Sequence, residues 1–148
     1  MKKLLMLIVA VAVLGFLGAA QAQQGMPRKG GGWGPGTGYA RMFDPRTIET
    51  VTGEVVSVDK IVPARGMSYG VHATVKTDKE TLSVHLGPGW YLESQDVKLA
   101  PHDTVEITGS RIMFDGKPAL IATEVRKGGA VLKLRDANGY PVWSRRRR

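Results

Sequence analysis

Apolar and polar side chains alternate along most of the chain after Thr47, in short runs that are separated by turn residues. The first run alternates Val51, Gly53 and Val55 against polar neighbours, and Gly53 in its middle predicts a β-bulge or a sharp coil. An alternation of period two is typical of half-buried β-strands. The pattern predicts strands at 48–61, 69–77, 81–87, 104–114 and 118–125, with a short final strand at 131–134.

The segments between these runs predict how the strands are connected. Asp-Lys-Glu at 78–80 and Asp-Gly at 115–116 each predict a hairpin turn. Gly-Pro-Gly at 87–89 ends the third run, and residues 90–97 are expected to form a short helix. Three strands, a short helix and two further strands are the order of the OB-fold, so we expect an all-β, five-stranded, partly open barrel.

The N-terminus has the layout of a secretory signal peptide. Lys2 and Lys3 precede an apolar run at 4–17, and the small-residue sequence Ala-Gln-Ala ends at Ala22. The apolar run is shorter than the roughly 20 residues that a membrane-spanning helix needs. We therefore expect cleavage after Ala22 and a soluble periplasmic or secreted protein.

Composition suggests how the rest of the chain is divided. Residues 23–46 are rich in glycine and are expected to be a flexible linker. Trp33 in this segment is expected to be solvated or loosely docked, and the alternative is that it anchors a partner. The barrel domain is expected at 47–136, and a basic tail at 137–148. The protein has no cysteine, which excludes disulfides, thiolate metal sites and cysteine nucleophiles.

The net charge of +8 is concentrated outside the predicted barrel. Residues 47–136 contain 11 basic and 12 acidic residues, and this near-neutral balance argues against nucleic-acid binding by the barrel. The sharpest charge cluster is at the C-terminus, and it consists of Arg145, Arg146, Arg147 and Arg148. Two interpretations stay open for it: an anion-binding segment for phospholipid headgroups, lipopolysaccharide phosphates, nucleic acid or an acidic protein, or a solubilising end.

The second and third strands are expected to carry histidines on one outward face. Placing the valines and leucines of this hairpin inward leaves His72, Thr74, Ser83 and His85 outward. One register sets His72 directly opposite His85, close enough to share Zn²⁺ or Cu²⁺, and His102 is a candidate third ligand. The alternative is that these are ordinary exposed histidines.

The same outward face is where OB-folds usually bind ligands, and Trp90 and Tyr91 follow it directly. We interpret His72, Thr74, Ser83, His85 and Tyr91 as candidate ligand-binding residues, while Trp90 has the alternative role of packing against the barrel end with Leu92. Motifs of a serine-hydrolase elbow, a zinc protease and a phosphate loop are missing from the sequence. The sequence therefore predicts a non-enzymatic protein without a firmly indicated cofactor.

Two motifs carry a resemblance to a known family. Residues 50–55, Thr-Val-Thr-Gly-Glu-Val, and residues 101–109, Pro-His-Asp-Thr-Val-Glu-Ile-Thr-Gly, resemble the first and fourth strands of the small bacterial periplasmic OB-fold (BOF) proteins. Other segments, including residues 86–91, are similar to uncharacterised exported bacterial proteins. The resemblance implies an exported protein without established enzyme activity that is associated with envelope stress.

The expected function is thus binding of a small ligand or an envelope protein partner. Metal handling by the histidine pair and nucleic-acid binding by the OB-fold are the alternatives that the sequence leaves open.

Overall fold

A computed structural model describes residues 31–144 of the chain. Its β-strands are β1 (Ile48–Ile61), β2 (Gly70–Lys76), β3 (Thr81–Pro88), β4 (Thr104–Phe114), β5 (Lys117–Lys127) and β6 (Ala130–Lys133), and helix α1 (Gly89–Glu93) lies between β3 and β4. Short 3-10 turns occupy Ala40–Met42, Pro45–Thr47 and Val142–Ser144. The predicted signal peptide, its cleavage point and the arginine cluster lie outside the described residues.

The strands form a closed barrel, as the sequence predicts for an OB-fold. Their order in the sheet is β3-β2-β1-β4-β5-β6, and parallel pairing of β3 with β5 closes the first five strands on themselves. Strand β1 pairs with β4 through its first half and with β2 through its second half. The short helix lies between β3 and β4, so the prediction of an OB-fold-like barrel is confirmed. No helix within residues 31–144 is long and apolar enough to cross a membrane.

The exchange of partners along β1 depends on Gly53. A Cβ at Gly53 would lie 2.6 Å from the carbonyl oxygen of Lys76, so only glycine fits where the end of β2 meets β1. The bulge itself lies slightly later than expected, because the register shifts between Val55 and Ser57. Val56 is left 52% exposed at that point.

The interior of the barrel is filled by the inward-facing aliphatic residues of the strands. We call this the inner core, and its buried members are Val55, Ala73, Val75, Leu82, Val84, Leu86, Val105, Ile107, Leu120, Ala122, Val125, Leu132 and Leu134. Helix α1 packs against it but ends at Glu93, earlier than the expected 97. The hydroxyl of Ser94 donates to the carbonyl of Tyr91 at 2.7 Å, which competes with continuation of the helix.

A second core lies on the outside of the barrel, beneath residues 31–46, which we call the strap. Trp33, Tyr39 and Phe43 of the strap are each at most 9% exposed and pack with Ile112, Ala119 and Ile121. This part of the chain differs from the flexible linker expected for 23–46, and the expectation of a solvated Trp33 is wrong. Three aromatic side chains bury enough apolar surface to order a glycine-rich segment that has no apolar periodicity.

Candidate functional site

The strand register brings the predicted histidines together. His72 pairs directly with His85 across β2 and β3, and Thr74 pairs with Ser83. The neighbouring valines, leucines and alanine face the inner core, as the alternation predicts. The imidazole centroids of His72 and His85 are 6.3 Å apart. The prediction that these four residues share one face of the hairpin is therefore confirmed.

The expectation that this face is open to solvent is wrong for His85, which is 0% exposed. The strap covers it, and the hydroxyl of Tyr39 lies 2.9 Å from Nδ1 of His85. The ring of Phe114 packs edge-on against the same imidazole, with centroids 4.8 Å apart. His72, Thr74 and Ser83 are half-buried, and Nδ1 of His72 lies 2.8 Å from the Ser83 hydroxyl. Sequence reasoning placed the face correctly but missed the segment that covers part of it.

A buried arginine that the sequence did not single out belongs to the same region. Arg135 is 8% exposed, and its Nη1 donates to the carbonyls of Leu86 at 3.0 Å and Ala122 at 2.7 Å. Its guanidinium lies 5.0 Å from the ring centre of Trp143. Within residues 31–144, none of the ion pairs joins Arg135 to a carboxylate. The buried positive charge is thus held by carbonyl dipoles and an aromatic face.

Burial and this positive charge decide the protonation states of the cluster. Burial, together with the smaller electrostatic effects of His72 and Arg135, lowers the pKa of His85 to about 4. Burial raises the pKa of Tyr39 to about 12, against the opposing effect of Arg135. Both side chains are therefore neutral near pH 7. Nε2 of His85 has no hydrogen-bond partner among the described residues.

The observed strand register agrees with the hypothesis of a metal site at His72 and His85. The electrostatics of their surroundings oppose that hypothesis. The positive charge that disfavours a protonated His85 also disfavours a divalent cation at the same place. His102 is far along the sheet, where its Nδ1 lies 3.3 Å from Glu54 and its side chain is 90% exposed. Within the described part of the chain, no cluster of three or more histidine or acidic residues is close enough to hold a metal ion.

The two aromatic residues at the start of α1 have different environments. Tyr91 packs against the inner core, and its hydroxyl donates to the carbonyl of Lys133 at 3.0 Å. Trp90 is 46% exposed, so the alternative in which it packs into the barrel end is wrong, and Leu92 fills that position. Tyr91 thus has a structural contact, whereas Trp90 is a surface residue.

An apolar pocket of about 190 Å³ lies between α1, the segment 94–103 and the barrel. Seven aliphatic side chains line it together with Glu93 and Lys98; they are Val58, Val71, Leu86, Leu92, Val97, Leu99 and Leu132. Sequence reasoning missed this pocket. Its one signal is the apolar spacing of Val97 and Leu99 in a segment without strand or helix periodicity.

The comparisons with known proteins give one finding. A family model matches residues 47–132, and it describes the MamS/MamX magnetosome protein family. The match covers more than half of the chain and runs from the start of the barrel into β6. Neither a curated protein nor a solved structure matches the chain.

Proposed function

The chain belongs to the MamS/MamX magnetosome protein family, and from this premise we propose that it is an exported envelope protein that acts by binding a small apolar ligand rather than by catalysis. The ligand, or the apolar end of a larger one, occupies the pocket between α1 and the barrel. The observation that carries this proposal is the pocket itself, which combines an aliphatic lining with a preformed shape.

The size and lining of the pocket favour a compact apolar guest. Its volume of about 190 Å³ is slightly larger than that of an engineered apolar cavity of about 150 Å³ that admits benzene. Leu86 and Leu132 form part of its wall and are at most 2% exposed. An apolar molecule that enters it replaces contact with water by contact with these side chains.

Hydrogen bonds around the pocket support a preformed site. Nζ of Lys98 donates to the carbonyls of Leu92 at 2.9 Å and Glu93 at 2.8 Å, at the end of α1. Nζ of Lys127 donates to the carbonyl of Lys98 at 2.9 Å, and it also pairs with Asp103. These contacts tie the segment 94–103 to both α1 and β5, so little ordering entropy opposes binding.

The outward face of β2 and β3 is the weaker candidate for the same function. His85 is covered by the strap, and the neighbouring polar groups of His72 and Ser83 are bonded to each other. A ligand at this face would have to displace the strap or replace that bond, whereas a ligand in the pocket displaces no part of the described chain.

Calorimetric titration with linear 1-alkanols of increasing length tests the proposal. We expect affinity to rise about threefold to fourfold for each added methylene, from about 0.8 kcal/mol per buried group, and to stop rising when the pocket is full. Val97→Phe fills the pocket and should abolish binding. Val62→Phe is the matched control, because Val62 is 57% exposed and does not line the pocket.

Two results would contradict the proposal. One is the absence of any chain-length dependence in the unsubstituted protein. The other is unchanged alkanol affinity in a folded Val97→Phe variant, which would place the binding site elsewhere.

A further inference from the structure

Two charged side chains mark the opening of the apolar pocket. Glu93 and Lys98 belong to its lining and are exposed, whereas the aliphatic members are buried or half-buried. Within residues 31–144, no ion pair joins Glu93 to Lys98. Because the rest of the lining is aliphatic, these two groups and their surroundings decide which polar head a bound chain can carry.

The ammonium group of Lys98 is held in place and keeps a donor for a ligand. An ammonium has three N–H groups. Nζ of Lys98 directs two of them at the carbonyls of Leu92, at 2.9 Å, and Glu93, at 2.8 Å. Both acceptors are neutral, and no carboxylate within the described residues forms an ion pair with Lys98. Lys98 therefore presents an uncompensated positive charge and one further N–H at the opening of the pocket.

The carboxylate of Glu93 is engaged by a neutral donor instead. Its Oε1 accepts a hydrogen bond from the hydroxyl of Tyr69. This bond raises the pKa of Tyr69, so the phenol keeps its proton at neutral pH. The ring of Tyr69 lies directly against Gly89 at the start of α1, where a Cβ would overlap the ring. Tyr69 thus holds the Glu93 carboxylate, which leaves the charge of Lys98 without a counter-ion.

Strand alternation brings a second cation to the same side of the barrel. Lys60 follows Val58 by two residues in β1, so the two side chains share one face of the strand, and Val58 lines the pocket. Nζ of Lys60 lies 4.7 Å from the centre of the Tyr69 ring. Within the described part of the chain, Lys60 also has no carboxylate in an ion pair.

The other acidic residues of this region do not balance these cations. Asp103 is paired with Lys127 at 2.9 Å, so that pair is neutral by itself. Asp59 pairs with His72 and lies on the other face of β1. Asp96 belongs to the segment 94–103 but does not line the pocket. The opening therefore keeps two cations against one carboxylate.

We propose that the ligand of this pocket is a single-chain amphiphile with a carboxylate head, of the medium-chain fatty acid class. This inference rests on the proposed function and names the class of its ligand. The alkyl chain fills the pocket, the carboxylate accepts the remaining N–H of Lys98, and Lys60 adds longer-range attraction. The volume of about 190 Å³ is below the roughly 300 Å³ at which pockets for drug-sized ligands begin, so one short chain fits better than the two chains of a phospholipid.

Calorimetric titration with three ligands of one chain length tests the proposal on the chain from Gln23 to Arg148. The ligands are octanoate, 1-octanol and octylamine at pH 7, where the acid is ionised and the amine is protonated. We expect octanoate to bind about tenfold more tightly than 1-octanol, because a charge-assisted hydrogen bond is added to the same chain burial, and octylamine to bind more weakly than 1-octanol. High salt should reduce the affinity of octanoate but not that of 1-octanol.

Variants at the opening assign the preference to particular groups. Lys98→Met keeps an unbranched apolar stem and removes the charge, so the affinity ratio of octanoate to 1-octanol should fall below about twofold, and Lys98→Arg should retain most of the ratio. Glu93→Gln removes the opposing charge and should raise the ratio about twofold to threefold. Lys60→Met should lower it by a similar factor. Lys117→Met is the matched control, because Lys117 is exposed at the start of β5 and does not line the pocket.

The three ligands separate this inference from the proposed function. Binding of 1-octanol that Val97→Phe abolishes, with octanoate no tighter, would overturn the inference and leave the proposed function intact. An octanoate preference that persists in Lys98→Met, or octanoate binding that persists in Val97→Phe, would also overturn it, because the carboxylate would then be held elsewhere. Failure of all three ligands to bind would overturn both.

Discussion

The inner core and the strap-covered core are stabilised by different kinds of interaction. The inner core contains aliphatic side chains from the strands, and its packing depends on burial that has no preferred direction. The strap-covered core combines aromatic rings with His85, Arg135 and the buried Ser110, whose hydroxyl accepts a hydrogen bond from the backbone of Asp44 in the strap. It therefore depends on particular hydrogen bonds and on charge. The difference suggests that the barrel tolerates a change of solution conditions, whereas the docking of the strap responds to it.

The two cores also differ in how their contacts are formed. Residues of the inner core alternate within single strands, so their contacts are set as soon as the strands pair. The strap contains no strand, and side-chain contacts such as the bond between Tyr39 and His85 hold it on β3, β4 and β5. We therefore expect the strap to undock while the barrel stays folded, and not the reverse.

The largest expected effect comes from a charge in the inner core. Ile107→Asp should lower the free energy of unfolding by at least about 4 kcal/mol, because Ile107 is 1% exposed and its surroundings offer the carboxylate no partner. Denaturant unfolding followed by circular dichroism measures it. Val131→Asp is the control, since Val131 is 40% exposed and should lose less than about 0.5 kcal/mol. Similar losses in both variants would show that the inner core is misassigned.

The next effect should be confined to the strap. Trp33→Ala removes an indole that is 2% exposed and donates to the Ser68 carbonyl at 2.9 Å. We expect the substitution to lower the free energy of unfolding by about 3 kcal/mol. The loss cannot exceed the docking free energy of the strap, because beyond that point the strap detaches. Hydrogen exchange should show lost protection at Met42 and Phe43, with β4 unchanged.

Trp90→Ala is the matched control for Trp33→Ala, since the exposed Trp90 should contribute little to stability. Protection lost equally in the strap and in β4 would mean that the two cores unfold as one unit. That outcome would remove the comparison on which the other predictions depend.

These predictions also show which parts of the structure the sequence could reveal. Alternation in the five main runs predicted the strands, the OB-fold order and the shared face of His72 and His85, whose direct pairing was one of the registers that it allowed. Period-two patterning carries this information because each strand has one buried face. The Asp-Gly sequence after Phe114 also predicted its hairpin turn correctly, because such turns need positive φ at both positions and Asp115 and Gly116 both have it.

The docking of the strap was not readable from the sequence. Glycine-rich composition indicates flexibility, and the burial of Trp33 and Tyr39 is decided by a surface that exists only after the barrel closes. The burial of Arg135 could not be read for the same reason, because the carbonyls that accept its hydrogen bonds come from β3 and β5. The apolar pocket likewise requires α1 and the segment 94–103 to be in place.

Acid should weaken the strap more than the barrel, through His85. A base whose pKa is lower in the folded state than its unfolded value of about 6.5 adds its full contribution to stability only at pH values above about 6.5. With a folded-state pKa of about 4, the contribution is lost as pH falls from 6.5 towards 4, by about 2 kcal/mol at pH 5. Unfolding and strap exchange at pH 7 and pH 5 measure the loss.

Replacement of His85 separates this effect from general acid sensitivity. His85→Gln should remove most of the pH dependence of strap protection between pH 7 and pH 5, whatever it costs at pH 7. His102→Gln is the control, because His102 is exposed and remote from the strap. A pH dependence that persists in His85→Gln would assign the titration to another group.

The smallest expected effect concerns metal binding by the two histidines. Their direct pairing is suitable for Zn²⁺ or Cu²⁺, but a divalent cation at His85 would be buried near the positive charge of Arg135. We expect calorimetric titration with either metal to give the same weak affinity, within about twofold, for the unsubstituted protein and for His72→Ala with His85→Ala. The remaining binding would then come from exposed groups such as His102, and His102→Ala should lower it.

A clear loss of affinity in the double variant that is absent from His102→Ala would instead establish the strand pair as a metal site. It would also show that the strap can move aside to admit an ion. The docking of the strap would then respond to metal ions as well as to protons, while the barrel responds to neither.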